Sequence, residues 1–241
     1  MTADVVMVTG VLGGIGTAIK IALEERGFRV IGLDLAGDEG ENHIVFDLAT
    51  LVDEKVHDEL VGEVELRLKS DRLVAVVNNA ATQRLGYFEQ LKPRDLMDSL
   101  AVNAIAPALL VKLLLGELSK TKGQVINVGS IHAEQTKPNF FSYSTSKSAL
   151  SGVTRAMAVE LGDRVRVNMV APAAVETPML RMGLTDAQMK SLRQYHPTRS
   201  IGEPSEVGKL IAAMVSEQLA FLNGAIIELD GGISRRLHDV L

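Results

Sequence analysis

Tyr143 and Lys147 are the first pair of residues whose types and spacing suggest chemistry. On a helix, a separation of four residues places both side chains on one face, one turn apart. A free tyrosine has a pKa of about 10, and a neighbouring ammonium favours its phenolate form. Tyr143 could then take a proton from an alcohol or return one to a ketone. Such pairs also arise by chance on solvated helix faces, so this interpretation needs support from the surrounding residues.

A serine and several asparagines lie at or just beyond the ends of predicted strands. Ser130 follows one such strand, and Asn78-Asn79 ends another. The carboxyl ends of parallel strands meet at one edge of an open sheet, where such sheets bind ligands. A hydroxyl there can donate a hydrogen bond to a substrate oxygen as charge develops on it. Considered singly, Ser130 would satisfy a loop, and each asparagine, including Asn103 in the next helical region, would be a turn or cap residue.

A glycine-rich segment follows the first predicted strand and opens a helical pattern. Residues 9–16 have the sequence TGVLGGIG, and Ile19 and Leu23 continue at helical spacing. Glycines in a strand-turn-helix unit let the backbone approach a pyrophosphate, which lies at the positive end of the helix. An ordinary tight turn is the alternative, and the glycines alone do not decide between the two. The predicted cofactor contacts in this turn are Gly10, Gly14, Ile15 and Gly16.

An acidic residue about 20 positions beyond the glycines favours the cofactor interpretation. Asp34 ends the second predicted strand, where a carboxylate can accept hydrogen bonds from both hydroxyls of an adenosine ribose. The same carboxylate repels a 2'-phosphate, and neighbouring Ile15, Leu35 and Ala36 offer no basic side chain to bind one. The sequence therefore predicts NAD rather than NADP, and the positive ring of oxidised NAD would also favour a tyrosine phenolate.

Short β-branched runs alternate with longer stretches of helical period along the chain. This alternation is expected where crossover helices join parallel strands. Strands are predicted near 4–9, 29–33, 43–46, 73–77, 123–128, 164–170 and 224–229. Helices are predicted near 14–27, 52–69, 93–118 in two pieces, 143–161 and 204–216. We therefore predict a Rossmann-like α/β fold, a doubly wound parallel sheet of about seven strands with helices on both faces.

The segment from Pro178 to Ser200 fits neither a strand nor a long packed helix, and it lies between two core elements. We predict that it forms a lid loop over the substrate. Arg84 and His132 suggest a hydroxylated or anionic substrate, although a lone surface arginine and a packed histidine are the common alternatives. The apolar lid residues could line a pocket or only cover the core. Candidate substrate contacts are Gln83, Arg84, His132, Glu134, Met179, Leu180, Arg181, Met182 and His196.

Composition narrows the class of protein further. The 241 residues, 46% of them hydrophobic, can bury one large core, so we predict one domain over residues 1–241. With 25 basic and 30 acidic residues and no run of like charge, we expect neither nucleic acid nor membrane as a partner. Cysteine is absent, so no thiolate metal site forms and no metal is predicted. No secretion signal precedes the first strand, and Leu109 to Leu115 is too short to span a bilayer, so we expect a cytoplasmic protein.

These motifs, in their order along the chain, resemble those of the short-chain dehydrogenase/reductase family, of the smaller single-domain type. The resemblance covers nearly the whole chain and implies hydride transfer between a nicotinamide and the carbon of a secondary alcohol or ketone. By this resemblance, Asn103, Ser130, Tyr143 and Lys147 are the catalytic residues, and Lys147 also holds the nicotinamide ribose. Further matches are the glycine turn, Asp47-Leu48 at the adenine, Asn78-Asn79-Ala80, Pro172-Ala173-x-Val175-x-Thr177-Pro178 on the nicotinamide side, and Asn223-Gly224 with Asp230-Gly231-Gly232 at the last strand.

Three positions depart from the family pattern. Ala81 and Ala173 replace usual glycines, and Gly129 stands where a second serine is common. Each exchange is between small residues, so we expect consequences for packing and none for the chemistry.

The resemblance also bears on assembly. The helices predicted near 102–118 and 143–161 carry more apolar residues than one sheet-facing stripe needs, and similar proteins pair these helices between subunits. We expect a homotetramer. The tail from Ser234 to Leu241 extends beyond the last glycine turn, and we expect it either to pack on a neighbour or to be disordered.

Two other functions share parts of the pattern. A sugar-nucleotide epimerase or dehydratase would have the nucleotide fold and the tyrosine-lysine pair, but with a longer substrate domain and a different glycine spacing. An NAD-binding sensor or structural protein without turnover is the second alternative. The intact residues Ser130, Tyr143 and Lys147 argue against it, because a sensor need not retain an acid-base pair.

Pro107 lies four residues after Asn103, within what reads as a continuing helix. Proline has no N–H, so the Asn103 carbonyl would lack its helical partner. In proteins that this one resembles, the matching carbonyl holds a water that links the catalytic lysine to solvent. We therefore predict a relay through Asn103. The alternative is a helix that starts after Asn103, where a proline in the first turn removes no bond.

Overall fold

A parallel sheet lies at the centre of the protein, which a computed structural model describes for residues 2–217 and 219–237. Its strands are β1 Asp4–Thr9, β2 Arg29–Asp34, β3 His43–Val45, β4 Arg72–Asn78, β5 Gln124–Val128, β6 Arg166–Pro172 and β7 Ile226–Leu229. Their order is β3-β2-β1-β4-β5-β6-β7, with parallel pairing throughout. The order reverses direction between β1 and β4, where open sheets of this type bind ligands. The predicted doubly wound sheet is confirmed.

Helices cover both faces of this sheet. They are α1 Gly14–Glu24, α2 His57–Leu68, α3 Pro93–Leu100, α4 Ala106–Lys120, α5 Phe141–Leu161, α6 Pro178–Met182, α7 Asp186–Tyr195 and α8 Pro204–Ser216. One face packs against α2, α4 and α5, and the other against α1 and α8. Both faces are therefore shielded from water, which explains why the strands have nearly continuous apolar sequences.

The alternation of side chains along β1 shows how the two cores are separated. Val5 and Met7 belong to the core beneath α2 and α4, whereas Val6 and Val8 belong to the core beneath α1 and α8. All four side chains are fully buried. Successive side chains of a strand point to opposite faces, so one short strand supplies both cores.

The segment before α2 differs from the prediction. The predicted helix at 52–69 begins only at His57, because residues 48–52 and 54–56 form two 3-10 turns. Asp47 caps the first turn by accepting a hydrogen bond from the Ala49 N–H at 2.9 Å, and Asp53 caps the second through the Lys55 N–H at 3.1 Å. Short acidic side chains bond nearby backbone groups and so favour turns over helix interiors.

The prediction of a lid loop between Pro178 and Ser200 is wrong in its secondary structure, since α6 and α7 occupy most of it. The Thr177 hydroxyl caps α6 by accepting from the Leu180 N–H. A reciprocal capping box between Thr185 and Gln188 starts α7. A threonine followed three residues later by glutamine is a helix-start signal, so the sequence did carry this information.

The segment Pro93–Lys120 is one helical run in which a π-helical turn at Ala101–Ile105 joins α3 to α4. By length and composition it would be apolar enough to cross a membrane, a test that core helices of soluble proteins also pass. Its residues Leu110, Leu114 and Leu118 are buried in the core beneath the sheet. Near the C-terminus, Ile233–Arg235 form a 3-10 turn, and residues 238–241 of the predicted tail lie outside the described residues.

Candidate active site

The glycine turn after β1 is built from backbone groups in close contact. Gly10 has φ of +64°, a conformation that favours glycine, and its N–H donates to the Leu33 carbonyl at 2.7 Å. A Cβ on Gly16 would lie only 2.0 Å from the Gly10 carbonyl oxygen. The start of α1 can therefore fold back over the end of β1 only if residue 16 is glycine.

A clamp from the end of β4 holds this turn. The Thr9 hydroxyl accepts hydrogen bonds from the N–H groups of Asn79 and Ala80, both at 3.0 Å. The Asn79 amide donates in return to the carbonyls of Thr9 and Gly10, also at 3.0 Å. Thr9 is 1% exposed, and the sequence analysis missed its role. Its position directly before the glycine was the available signal.

The N-terminus of α1 fits the pyrophosphate of a dinucleotide. Gly13 precedes the helix without a side-chain cap, and the first turn contains no acidic residue. A Cβ on Gly14 would lie 3.2 Å from a Thr177 methyl carbon and 3.3 Å from Pro178 Cδ. The glycine turn thus borders the loop after β6, which was predicted to lie on the nicotinamide side. Uncapped N–H groups at a helix start bind anions, so these residues fit the cofactor.

Asp34 lies at the carboxyl end of β2, beside the glycine turn. Its carboxylate accepts hydrogen bonds from the Leu12 N–H at 2.9 Å and the Leu35 N–H at 2.8 Å. The side chains of Leu12 and Leu35 are largely exposed on either side of it. The carboxylate is thereby oriented by backbone groups at the place where the ribose was expected.

The predicted adenine contact lies after β3. Asp47 is exposed and caps the 3-10 turn that follows, while Leu48 is 8% exposed and belongs to the core. The backbone carbonyl of Asp47 also accepts from the Thr50 hydroxyl at 2.7 Å. Contact of these residues with adenine stays a prediction.

Ser130, Tyr143 and Lys147 converge at the carboxyl end of β5. The Ser130 side chain is the neighbour that lowers the pKa of the Tyr143 phenol. The Lys147 ammonium lies 5.8 Å from the centre of the Tyr143 ring and donates to the Val128 carbonyl at 2.8 Å. Lys147 is 2% exposed, so its charge acts in a region that excludes water.

The pKa values of this group differ from the expectation in one respect. Burial raises the pKa of Tyr143, and the hydrogen bond with Ser130 opposes that rise. Burial lowers the pKa of Lys147 to about 8, so it remains protonated at pH 7. The expected lowering of the tyrosine pKa by Lys147 is absent from the protein alone, because loss of hydration dominates at the phenol and the ammonium donates to Val128.

Asn103 braces the catalytic helix from the π-helical turn. Its side-chain oxygen accepts from the Thr82 N–H at 2.8 Å, and its amide donates to the Thr82 carbonyl and the Ser146 hydroxyl, both at 2.9 Å. Ser146 donates in turn to the Tyr143 carbonyl at 2.7 Å. The sequence analysis missed Ser146, although it lies within the tyrosine-lysine segment.

Pro107 is the second residue of α4, in the first turn, as the alternative interpretation predicted. The helical run nevertheless continues back through the π-helical turn into α3, so the chain does not start a new helix there. A relay through the Asn103 carbonyl stays a prediction.

Buried polar residues link the strands and the helix that carry the site. Asn78 on β4 donates to the Asn127 side chain on β5 at 2.8 Å, and Asn127 donates to the Thr154 hydroxyl at 2.9 Å. Asn127 was missed, although an asparagine inside an apolar strand is a usable signal. At Gly129, a Cβ would lie 2.5 Å from the Met169 sulfur. The departure from the family serine therefore has the expected packing consequence, since Met169 fills that space.

The loop after β6 was predicted to contact the nicotinamide, and it runs from Pro172 past the glycine turn into α6. Val175 is 7% exposed and pairs with Gly202 in an isolated parallel bridge. The Ala173 N–H donates to the Leu229 carbonyl at 3.1 Å, which ties the loop to β7. Thr177 borders Gly14 and caps α6. This loop therefore joins the glycine turn to α6.

Of the predicted substrate contacts, His132 lies against Tyr143. Its ring stacks on Phe140 with centroids 4.4 Å apart and meets the Tyr143 ring edge-on at 5.9 Å. Burial, and secondarily the positive charge of Lys137, lowers the pKa of His132 to about 4. The imidazole is therefore neutral near pH 7.

The other predicted substrate contacts make interactions away from the Tyr143 ring. Arg84 lies 3.8 Å from Asp98, and Arg181 pairs with Glu176, a residue that the sequence analysis missed. His196 is 3% exposed with its ring bonded to the Leu192 carbonyl, so it is packed in the interior. Met179 and Met182 are exposed on α6, and Glu134 is exposed after the 3-10 turn that follows Ser130. Within residues 2–217 and 219–237, no cluster of three metal-ligating side chains is present.

Comparisons with known proteins find similarity along nearly the whole chain. A family model described as enoyl-(acyl carrier protein) reductase matches residues 10–234. The chain is 31% identical to the 3-oxoacyl-(acyl-carrier-protein) reductase FabG of Vibrio cholerae, over 97% of this chain and 98% of that protein. It is 29% identical to human dehydrogenase/reductase SDR family member 4, over 97% and 88%. The ligand-free aldohexose dehydrogenase of Thermoplasma acidophilum matches with a TM-score of 0.89 at 26% identity, over 100% and 97%.

Proposed function

We propose a specific reaction from the premise that the chain belongs to the short-chain dehydrogenase/reductase family and is an oxidoreductase that uses a nicotinamide cofactor. The reaction is hydride transfer between NAD(H) and a secondary alcohol or its ketone. One observation carries this proposal: Ser130, Tyr143 and a lysine that is 2% exposed converge at the carboxyl edge of the sheet, with the Lys147 ammonium 5.8 Å from the centre of the Tyr143 ring.

The hydroxyls of Ser130 and Tyr143 carry out the proton exchange with the substrate. A substrate oxygen between them accepts a hydrogen bond from Ser130 and exchanges a proton with Tyr143. In oxidation, the Tyr143 phenolate takes the proton from the alcohol oxygen as the C–H bond breaks and the carbonyl forms. In reduction, the phenol returns that proton to the oxygen. When bound, the nicotinamide accepts the hydride or donates it.

Lys147 and Asn103 prepare this exchange. The Lys147 charge is retained at pH 7, and we propose that it favours the Tyr143 phenolate once the positive nicotinamide is also bound, an effect that the protein alone does not show. We assign Lys147 a second role as donor to the nicotinamide ribose, and Asn103 a role in relaying protons from Lys147 to solvent. Asn103 also fixes the tyrosine helix through Ser146, so its amide has a structural function that is independent of the relay.

NAD is proposed over NADP because of the charges around Asp34. The glycine turn places no basic side chain beside this carboxylate, and Asp38 follows it in the chain, whereas Glu39 is already paired with Arg67. A 2'-phosphate would therefore meet like charge. The oriented carboxylate supports ribose recognition, since both of its oxygens accept backbone N–H bonds and retain free lone pairs.

The test of the reaction replaces Tyr143 with phenylalanine, which removes the hydroxyl and keeps the ring. Turnover of an alcohol substrate should fall by about 10²- to 10⁴-fold, with NADH affinity unchanged. Tyr87→Phe, at an exposed tyrosine, is the matched control. Steady-state rates and fluorescence titration of NADH measure the two effects. Retained turnover in Tyr143→Phe would refute the assignment, and a wild-type protein that oxidises no alcohol would favour the sensor alternative.

Cofactor choice is tested separately. Wild-type kcat/KM should be at least about tenfold higher with NAD than with NADP, because like charges in contact are strongly unfavourable. Asp34→Ser should narrow that ratio by weakening NAD binding and removing the repulsion. Equal efficiency with both cofactors in the wild type would show that Asp34 does not select the ribose.

We also propose that the enzyme is a cytoplasmic homotetramer acting on a small molecule. Support for assembly comes from apolar side chains that remain exposed on the helical run and on α5, including Met97, Ile105 and Val159. Light scattering after size exclusion should give four times the mass of one chain. A monomer at micromolar concentration would contradict this.

A further inference from the structure

Two loops meet beside the catalytic tyrosine. The loop after β4 is anchored at Thr82 by the Asn103 side chain. It is anchored again at Gly86, whose N–H donates to the Asn139 carbonyl at 3.0 Å and which forms a parallel bridge with Phe140. Gly86 is opposite Phe140 in this parallel bridge, so Arg84 and Lys137, two and three residues earlier in the two segments, lie on the same side of it. The topology therefore brings Arg84 and Lys137 to one edge of the site.

A stack of side chains leads from this edge to the tyrosine. The Lys137 ammonium lies 4.6 Å from the centre of the Phe140 ring, and His132 stacks on the same ring at 4.4 Å with an angle of 10° between planes. Both groups therefore contact the same ring. His132 then reaches Tyr143 edge-on. A surface cation is thus linked through two rings to the group that exchanges the proton.

The charges at this edge are predominantly positive. Lys137 has no acidic partner within 4.0 Å among the residues that the structure describes. Asp98 lies 3.8 Å from both Arg84 and Arg94, so one carboxylate faces two guanidinium groups. Glu134, three residues before Lys137, is exposed and makes no ion pair in the described chain. Three cationic side chains thus face two carboxylates at this edge, which leaves a surplus of one positive charge for a ligand.

His132 contributes a neutral hydrogen-bonding group. Its Nδ1 lies 3.2 Å from the Thr136 hydroxyl, so Nε2 is the nitrogen left for a ligand. The low pKa of His132 keeps the ring uncharged across the physiological range. Lys137 and Arg84 must therefore supply the positive charge that attracts a ligand. The neutral histidine can only orient that ligand through a hydrogen bond.

We propose that this edge binds the carboxylate of a hydroxy-acid or oxo-acid substrate, with Lys137 and Arg84 as its cationic partners and His132 as a neutral orienting group. The inference rests on the proposed reaction and deepens it by naming the substrate class. A carboxylate is preferred to a phosphate ester because a single negative charge matches the surplus at this edge. The residues act on substrate binding and orientation, whereas Tyr143 and Ser130 act on the reacting oxygen.

The experiment compares hydroxy acids with their own neutral derivatives. The probes are 2-hydroxybutyrate, 3-hydroxybutyrate and 4-hydroxypentanoate, the methyl ester of each, and a phosphorylated secondary alcohol, all assayed with NAD. At least one acid should exceed its ester by about tenfold or more in kcat/KM. In Lys137→Gln and Arg84→Gln this ratio should fall severalfold, mainly through KM. Lys120→Gln, which changes a lysine at the opposite edge of the sheet, should keep the wild-type ratio.

The pH profile separates the roles of the cations and the histidine. Because the pKa of His132 is about 4, the acid-to-ester ratio should be constant between about pH 5.5 and 7.5. A ratio that falls with an apparent pKa near 6.5 would overturn the neutral role of His132. Esters or unsubstituted alcohols that match the acids would overturn the proposed substrate class while leaving the proposed reaction intact. Preference for the phosphorylated alcohol would overturn the carboxylate assignment, and turnover of other secondary alcohols but of none of these probes would overturn the substrate class alone.

Discussion

The glycine turn at residues 9–16 and the helical segment at 178–200, the proposed lid, border each other at Gly14 and Pro178, yet different forces hold them. Backbone atoms shape the turn, where a Cβ on Gly16 would lie 2.0 Å from a carbonyl oxygen. Charged side chains hold the lid to its neighbours. Glu176 accepts a hydrogen bond from Arg193 of α7 at 2.8 Å and pairs with Arg181 of α6.

The difference shows what each region can tolerate. Buried backbone contacts have no way to relax around an added atom, so a small substitution in the turn should be costly. Ion pairs with exposed partners are weak and can reform with water, so the lid should yield at little cost. We therefore expect a rigid cofactor half and an adaptable substrate half, and three substitutions test this in order of decreasing effect.

Gly16→Ala should have the largest effect. The added methyl group collides with the Gly10 carbonyl, so the free energy of unfolding should fall by about 3 kcal/mol or more and NADH binding should be lost. Gly202→Ala is the control near the lid, because its nearest neighbour would be 3.5 Å away. It should change stability by less than about 0.5 kcal/mol. Urea unfolding measures the stability of the two variants, and titration measures their NADH binding. Similar losses at the two glycines would contradict the expected difference in rigidity.

Thr9→Val should have an intermediate effect. The valine keeps the shape of the side chain but leaves the N–H groups of Asn79 and Ala80 without their acceptor. Leaving buried donors unpaired should cost about 1–2 kcal/mol of unfolding free energy and weaken NADH binding. Thr145→Val, at an exposed threonine on α5, provides the control for the same change of residue type. A loss at Thr9 no greater than at Thr145 would show that the clamp does not hold the turn.

Glu176→Gln should have the smallest effect. Hydrogen bonds and charges from Arg193 and Arg181 hold the pKa of Glu176 below its usual range, so the carboxylate is charged throughout the working pH range. Loss of that charge should raise the KM for NAD by about twofold to fivefold without changing global stability. The difference from wild type should shrink in high salt, because salt screens exposed ion pairs. An effect equal to that of Gly16→Ala would mean that the lid is as rigid as the turn.

The sequence predicted the parts of this protein that depend on near neighbours in the chain. The strands lie within about two residues of their predicted positions, because apolar runs and turn residues are local signals. The boundaries of α2 and the helices of the lid were wrong, because capping residues such as Asp53 and Thr185 were not weighed against the apolar pattern.

What the sequence determined by itself was the fold class, the glycine turn and the candidate chemistry of Ser130, Tyr143 and Lys147, since these follow from residue type, spacing and strand order. Only the tertiary structure decided how those groups are supported and charged. The bond from Asn103 to Ser146 spans 43 positions, and that from Asn78 to Asn127 spans 49. Burial, which raises the pKa of Tyr143 and lowers that of His132, is likewise a property of the packed molecule, because desolvation depends on every element that surrounds the group.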